Sequence, residues 1–150
     1  MRKMVFGRKL SRGRKAREAL FRSLIKALII SGKITTTKAK VKAIQGEIDK
    51  LVTLSKKGSL SAEKRVSAIL GNNRVLAQTL SGKIVKAFGA RTSGFTRMTL
   101  LSRRKGDAAE MARLEWVEKI SLEEKKPAVK AKEEPKALPK KAKRAVKKAK

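Results

Sequence analysis

The residues of this chain best suited to chemistry are basic side chains that stand beside glycines. Between positions 89 and 106 the sequence has Gly89, Gly94 and Gly106 and no acidic residue. An arginine fork donates two parallel hydrogen bonds to a phosphate, and a glycine lets the backbone approach a sugar-phosphate chain closely. We therefore interpret this stretch as a phosphate contact, carried by Arg91, Arg97, Arg103, Arg104 and Lys105.

A second group of basic residues occupies the first third of the chain. Up to residue 46 the sequence has 14 Lys and Arg residues and a single acid, Glu18. A surface that faces only solvent usually mixes both signs, so this imbalance predicts a face directed at a polyanion. The predicted nucleic-acid contacts here are Arg2, Lys3, Arg8, Lys9, Arg12, Arg14, Lys15, Arg17, Arg22, Lys40 and Lys42.

The composition of the whole chain also favours a polyanion as the partner. Its 150 residues include 41 Lys and Arg against 12 Asp and Glu, which gives a net charge of +29. So large an excess opposes compaction of a free domain, and neutralisation by phosphates relieves it. Aromatic residues make up only 3% of the chain, which argues against a platform of rings that stacks unpaired bases. Nucleic acid is the predicted partner, and an anionic membrane surface is the alternative.

Catalysis and metal chemistry are disfavoured by what the sequence lacks. It has no cysteine and no histidine, so it offers no disulfide, no common ligands for zinc, copper or iron and no ordinary neutral-pH base. The S-x-x-K spacing of serine acyl-enzymes occurs at Ser23–Lys26 and Ser61–Lys64, but on amphipathic helices and without the accompanying motifs. Asp107 and Glu110 are interpreted as a loop acid and an acid at the start of a strand, not as a catalytic pair. We expect no enzyme, no cofactor, no metal site and no small-molecule substrate.

Membrane insertion and secretion are also disfavoured. The longest runs without a charged residue, Val66–Asn73 and Val75–Gly82, have eight residues each, whereas a membrane-spanning helix needs about 20. A secretory signal is rejected because Arg22 and Lys26 interrupt the apolar stretch and no small-residue cleavage site follows. Residues 1–17 are basic and lack acids, so an organelle transit peptide stays open, although they continue directly into a core-like helix.

The elements that position these basic groups begin with two helices. An apolar stripe predicts a first helix from about Gly13 to Ile30, closed by Gly32 as a left-handed cap. The β-branched stretch Ile34–Thr37 predicts a short strand, whose Thr36 or Thr37 caps a second helix that ends before Gly58. The two apolar stripes consist of Ala16, Ala19, Leu20, Leu24, Ala27 and Leu28, widened by Phe21 and Ile25, in the first helix and Val41, Ile44, Ile48, Leu51 and Val52 in the second.

Two further helices and two strands complete the predicted fold. Ser61 opens a third helix with Glu63 in its first turn, and Asn73 opens a fourth, in which Gly82 favours a break. After Gly89 the apolar period changes to two, which predicts strands over residues 95–103 and 111–118 joined by a loop. Side chains alternate along a strand, so we expect Arg97 to face away from its neighbours Thr96 and Met98.

The predicted fold class is α+β, with four helices packed on a small two- to three-stranded mixed or antiparallel sheet. Leu24 and Ile48, at the centres of the first two stripes, are expected in the core. The chain divides into a basic extended arm (1–12), an α+β nucleic-acid-binding domain (13–120) and a disordered Ala/Lys/Pro-rich tail (121–150), which contains all three prolines.

Six short motifs, in order along the chain, resemble those of one known family. Residues 7–12 are similar to G-R-x-L-x-R, and residues 17–22 are similar to R-x-x-M/L-F/L-R. Residues 34–42 resemble I-x-T-T followed by K-A-K, and residues 51–56 resemble L-I-T-L-A-K. The most specific matches come last, with G-Y-T-R at residues 94–97 and R-x-G-D-x-A-P-M-A…E at residues 104–115. Over roughly residues 7–118 the chain resembles the bacterial large-subunit ribosomal protein family L17.

This resemblance implies a structural rRNA-binding protein of the large subunit, near the peptide exit region, on the cytoplasmic ribosome and without enzymatic activity. The implied partners are large-subunit rRNA and neighbouring ribosomal proteins, with no membrane and no homo-oligomer. The chain departs from the family pattern at Arg14 and Lys15, where histidine is frequent, at Ala43, which replaces an acid, and at Glu110, which replaces a proline. The alternative function is a histone-like DNA-compacting protein, suggested by the composition of the tail.

Overall fold

The computed structural model describes residues 7–118 and residue 120. The predictions for Arg2, Lys3 and the tail at 121–150 lie outside these residues. In chain order the elements are α1 (Arg14–Ser31), β1 (Lys33–Thr37), α2 (Lys38–Lys56), α3 (Leu60–Ile69), α4 (Arg74–Thr79), a π-helical turn (Leu80–Ile84), α5 (Val85–Ala87), β2 (Thr96–Leu100) and β3 (Met111–Trp116).

The three strands form one antiparallel sheet in the order β1-β3-β2. Ile34, Leu114 and Met98 lie opposite one another across the three strands. On that face Leu114 is fully buried, and the helices cover it. The predicted α+β class and the third strand near Ile34 are confirmed.

The first two helices begin and end close to the positions predicted from the glycines and the β-branched residues. Gly32 adopts the left-handed conformation at φ 72°, and its N–H donates to the Leu28 carbonyl at 2.9 Å. Thr37 is the residue before α2, although its side chain makes no capping hydrogen bond. The predicted stripe of α2 is buried along its whole length, with 2% exposure or less at every position from Val41 to Val52 that belongs to it.

The first stripe packs differently from the prediction. In α1 the buried residues are Ile25, Leu28 and Ile29. Ala16 and Ala19 are exposed, and Leu24 is only half-buried against the edge of the core. No residue of α1 before Ile25 is buried, so the stripe extends beyond the part of the helix that the other elements cover. The placement of Leu24 in the core is therefore wrong, whereas that of Ile48, 1% exposed, is confirmed.

The third and fourth helices differ from the prediction at one cap and one turn. Ser59, not Ser61, caps α3: it has the extended backbone that a cap requires, and its hydroxyl accepts from the Ala62 N–H at 3.3 Å. Asn73 caps α4 as predicted, with its side-chain oxygen 3.2 Å from the Leu76 nitrogen.

Gly82 does not break the fourth helix. A π-helical turn forms around this glycine, in which the Val85 N–H donates to the Leu80 carbonyl five residues earlier. The helix then continues into α5, and Leu80, Ile84 and Phe88 stay buried at intervals of four.

The strands of the hairpin are shorter than predicted. β2 ends at Leu100 and β3 ends at Trp116, and the segment that connects the two strands folds back on itself. Its backbone joins Leu101 to Met111 at 2.9 Å and Arg104 to Ala109 at 3.0 Å, so residues beyond Leu100 belong to the loop.

An aromatic cluster fastens the hairpin to the helices. Phe88 meets the ring of Phe95 edge-on at 5.3 Å and lies 5.9 Å from Trp116 between ring centres. The indole N–H of Trp116 donates to the Leu28 carbonyl at 3.3 Å. The end of the fourth helix, the start of β2, β3 and α1 therefore share one core. In the described residues no helix is long and apolar enough to cross a membrane.

We expect Ile48→Ala to lower the free energy of unfolding by about 2–5 kcal/mol, because it leaves a cavity in a fully packed site. Leu24→Ala should cost only about 1–2 kcal/mol, since that side chain is already half in solvent. Trp116 is the single tryptophan and is 7% exposed, so its fluorescence reports unfolding in urea. An equal or larger loss for Leu24→Ala would contradict this packing.

Candidate nucleic-acid interface

The arm and the start of α1 form a continuous basic surface. Arg8, Lys9, Arg12, Arg14 and Lys15 are all exposed, and Arg17 is half-buried. The arm was predicted to be extended, but part of it is not. Residues 9–12 make a tight turn in which the Arg12 N–H donates to the Lys9 carbonyl at 3.2 Å.

Side chains of this segment fix the turn on the helix. The Arg12 guanidinium donates to the Leu10 carbonyl at 2.8 Å, and that of Arg17 donates to the Arg12 carbonyl at 3.2 Å. Leu10 and Ser11 both have φ of 52°, a left-handed conformation that side chains with a Cβ rarely adopt. The prediction of an extended segment is wrong for residues 9–12, where the Lys9 and Leu10 carbonyls accept hydrogen bonds from Arg12.

The two longest helices both begin with cations. Neither α1 nor α2 has an acid in its first turn, although the helix dipole places partial positive charge at that end and favours acids there. α1 instead starts with Arg14 and Lys15, and α2 starts with Lys38 and Lys40. An anion bound at these helix ends would reduce the repulsion between neighbouring cations and the repulsion between those cations and the helix dipole.

The hairpin loop carries an ion pair that sets its shape. The Arg104 Nε donates to Asp107 Oδ1 at 3.0 Å, Nη2 bonds the second oxygen, and the Ala109 N–H donates to Oδ1 at 3.3 Å. Hydrogen bonding by Arg104, and then by the Ala109 amide, lowers the pKa of Asp107 to about 2. The same pairing raises the pKa of Arg104. The fork of Arg104 is thus held in one orientation at the tip of the hairpin.

The structure brings the start of α2 against this loop. Lys38 Nζ lies 2.8 Å from a Glu110 oxygen, and the backbone N–H of Lys38 donates to the Glu110 carbonyl at 2.9 Å. Lys38, with smaller effects from Arg103 and Lys42, holds the pKa of Glu110 below its usual value. Asp107 and Glu110 therefore bind different cations, and Lys38, Lys42 and Arg103 gather around one carboxylate.

The face of the sheet that points away from the helices is polar and basic. One cross-strand row consists of Lys33, Glu115 and Arg97, and the next consists of Thr35, Arg113 and Thr99. Arg97 faces away from Thr96 and Met98, as predicted, but its Nε and Nη2 donate to Glu115 at 3.1 and 2.9 Å. The register brings in this acid from 18 residues away, which the acid-free run around Arg97 did not indicate.

Some predicted contacts also bind within the protein. Arg22 Nε donates to the Ile69 carbonyl at the end of α3 at 3.1 Å, and Arg91 Nη1 donates to Gly94 at 3.0 Å. Arg103 and Lys105 are exposed, Lys42 is exposed, and Lys40 is half-buried. Of the predicted residues that the structure describes, some lie on the arm and α1, and Arg97 lies on the outer sheet face. The α2–hairpin cluster consists of Lys40, Lys42, Arg103, Arg104 and Lys105 together with Lys38, and Arg91 lies in the loop before β2.

Three residues with evident roles were missed by the sequence analysis. Arg113 lies exposed at the centre of the outer sheet face and makes no ion pair among the described residues; its alternation with Ala112 and Leu114 was the available signal. Lys56 donates to the Phe88 carbonyl at 2.7 Å and also to that of Arg91, and lies over the Phe95 ring. Asp49 accepts from the Phe95 N–H at 3.2 Å. Together Lys56 and Asp49 hold both ends of the loop that carries Arg91.

The arrangement suits anion binding at the surface. No polar or charged residue is buried in the described part of the chain, and no group of three acids that could hold a metal occurs there. Exposed guanidinium and ammonium groups, several held by carboxylates, can donate to successive phosphates along a folded strand.

Comparison with known proteins gives a consistent result. The family model described as Ribosomal protein L17 matches residues 20–117. The large ribosomal subunit protein bL17 of Acholeplasma laidlawii is 40% identical over 119 residues, covering 76% of this chain and all of the relative. Those of Persephonella marina and Symbiobacterium thermophilum are 43% and 40% identical, covering 79% and 73% of this chain and 96% of each relative.

We expect the Asp107 carboxyl to titrate near pH 2, below its ordinary 3.8. Because folding favours its charged form, its stabilising effect is complete above about pH 4 and is lost as the pH falls through 2. Arg104→Gln should raise this pKa towards 3.8, measured by the carboxyl ¹³C shift. Arg103→Gln is the control and should leave the Asp107 titration in place. An unchanged midpoint in Arg104→Gln would contradict the pairing.

Proposed function

The chain belongs to the ribosomal protein L17 family, and from this premise we propose that it binds large-subunit rRNA through its basic arm, its first helix and the β2–β3 hairpin. It is a structural protein of the large ribosomal subunit and not an enzyme. The predicted family, fold class and ribosomal location are thereby confirmed. The rRNA contacts and the neighbouring proteins are the proposed part.

One observation carries the proposal: the cluster of Lys38, Lys42 and Arg103 around Glu110, at the start of α2. Lys38 pairs directly with Glu110, and Arg103 and Lys42 act on that carboxylate by charge alone, beside the positive end of a 19-residue helix. The local excess of positive charge stays exposed to solvent, so it is unfavourable until phosphates approach. RNA backbone supplies anions at the spacing that such an extended basic surface requires.

The first helix supports the same function because other elements do not cover its first part. Its residues before Ile25 are exposed or half-buried, and within residues 7–118 the ionic partner of Arg14 is Glu18, at 3.1 Å. A helix that leaves the core in this way gains little from packing, so a bound partner would stabilise it. Arg8, Lys9 and Arg12 lie on the turn that precedes it and extend the same surface.

The alternative, a histone-like DNA-compacting protein, receives no support from the folded part. It was suggested by residues 121–150, which lie outside the described structure and outside the matched segment 20–117. The family match includes most of α1, the start of α2 and the β2–β3 hairpin, whereas the arm and the first residues of α1 precede it. We therefore propose rRNA, and not DNA, as the polyanion.

We expect binding to a large-subunit rRNA fragment to weaken steeply with salt. About six to ten engaged Lys and Arg residues, at roughly 0.7–0.9 released counterions each, give a slope of log K against log salt of about −4 to −9. Arg113→Gln should make the slope shallower by about one contact. Lys50→Gln, which removes a cation already paired with Glu47 on α2, is the matched control. A wild-type slope shallower than about −2 would overturn the basic surface as the interface.

We expect removal of residues 1–12 to reduce incorporation into large subunits, because Arg8, Lys9 and Arg12 begin the proposed surface. Removal of residues 121–150 should reduce incorporation much less, since the resemblance and the family match end before them. Quantitative mass spectrometry of salt-washed subunits measures both. The opposite order, with the tail essential and the arm dispensable, would contradict the proposed contacts.

A further inference from the structure

A groove of about 650 Å³ lies between the end of α2, α3 and the start of α4. Its walls include Leu60, Glu63 and Lys64 on one side and Asn72, Arg74 and Gln78 on the other. None of these residues belongs to the arm, α1 or the hairpin. The volume is in the range of sites that bind small organic groups, and the groove is open to solvent, since these six wall residues are all exposed.

The two amides of this groove are unused within the protein. Among the described residues, the side chains of Asn72 and Gln78 make no hydrogen bond to another residue, whereas the nearby Ser59, Asn73 and Thr79 are all engaged with backbone. An amide offers both a donor and an acceptor, the combination that pairs with the edge of a nucleobase. The backbone at Asn72 is fixed, since its N–H donates to the Ser67 carbonyl at 2.7 Å.

The remaining groups of the groove complement the other parts of a nucleotide. Lys64 on α3 and Arg74 on α4 are cations suited to a phosphate, and Glu63 is the one acid among the lining residues. Leu60 is 77% exposed and provides an apolar surface for the face of a single base. Val66 and Ala77 also line the groove and add to this apolar surface.

The groove lies far from the α2–hairpin cluster. Lys38 begins α2, and Ser55, which also lines the groove, is near its end. At 1.5 Å per residue these two points on the helix are about 25 Å apart. A ligand in the groove therefore makes a contact distinct from that of the hairpin.

We propose that this groove holds one unpaired nucleotide of the large-subunit rRNA, with its base on Asn72 and Gln78 and its phosphate near Lys64 and Arg74. The inference rests on the proposed function, because it assumes that rRNA is the partner. It adds a base-specific contact to an interface otherwise made of phosphate contacts. Sequence preference at that nucleotide follows from the amide pairing.

The test is base-specific chemical probing of rRNA in subunits reconstituted with the full chain. We expect an unpaired base that the wild type protects to regain the reactivity of protein-free rRNA with Asn72→Ala/Gln78→Ala. Lys64→Gln should expose it in part. Arg65→Gln, an exposed cation next along α3 that does not line the groove, should leave it protected. The urea transition followed by Trp116 fluorescence establishes that the variants fold.

Two outcomes separate this inference from the proposed function. If the wild type protects rRNA at other positions but the double variant changes no base reactivity, the groove proposal is overturned and the proposed function stands. If the wild type protects no rRNA, the proposed function fails as well. Because the chain has no cysteine, Ala68→Cys carries a unique photo-cross-linker beside the groove. Cross-linking to rRNA supports the proposal, and cross-linking only to a neighbouring protein overturns it.

Discussion

The pairing of β3 between β1 and β2 is the interaction on which the rest of the structure depends. β3 places Ala112, Leu114 and Trp116 in the core, and Trp116 reaches the last turns of α1. The pairing of β3 with β1 and β2 places the start of α2, which follows β1, beside the hairpin loop. Two basic segments that are distant in sequence therefore become one surface. Without this strand the helices would still form, but the cations would have no common orientation.

The carboxylates of this chain act mainly as positioning groups for cations. Three of the five ion pairs among the described residues involve the hairpin: Lys38–Glu110, Arg97–Glu115 and Arg104–Asp107. Both partners of each pair keep contact with water, so such pairs add little to stability. Their effect is to restrict the rotamers of long basic side chains before RNA arrives, which reduces the entropy lost on binding. A surface with so few acids thus uses them for geometry.

Local patterns predicted most of the fold, and non-local contacts account for what they missed. The stripe of α2, the caps at Gly32 and Asn73 and the alternation in β3 follow from neighbours a few residues apart. The exposure of Ala16 and Ala19 depends on where the other elements end, which no local period reveals. The same holds for the site: an acid-free run around Arg97 was correctly noticed, but the register supplies Glu115 from another strand. The contacts of Lys56 form only once α2 packs against the segment from Phe88 to Phe95. The groove at Asn72 and Gln78 forms only once α2, α3 and α4 are packed together.

The central position of β3 also has a consequence for the order in which the molecule becomes complete during its own synthesis. Ile34 and Leu114 are adjacent in the sheet but 80 residues apart in the chain, so at about 5–20 residues per second β1 waits about 4–16 s for its partner. During that interval α1 and α2 can form from local contacts, while their apolar faces lack the sheet that covers them. The surface that joins the start of α2 to the hairpin is therefore complete only after residue 116 has been synthesised.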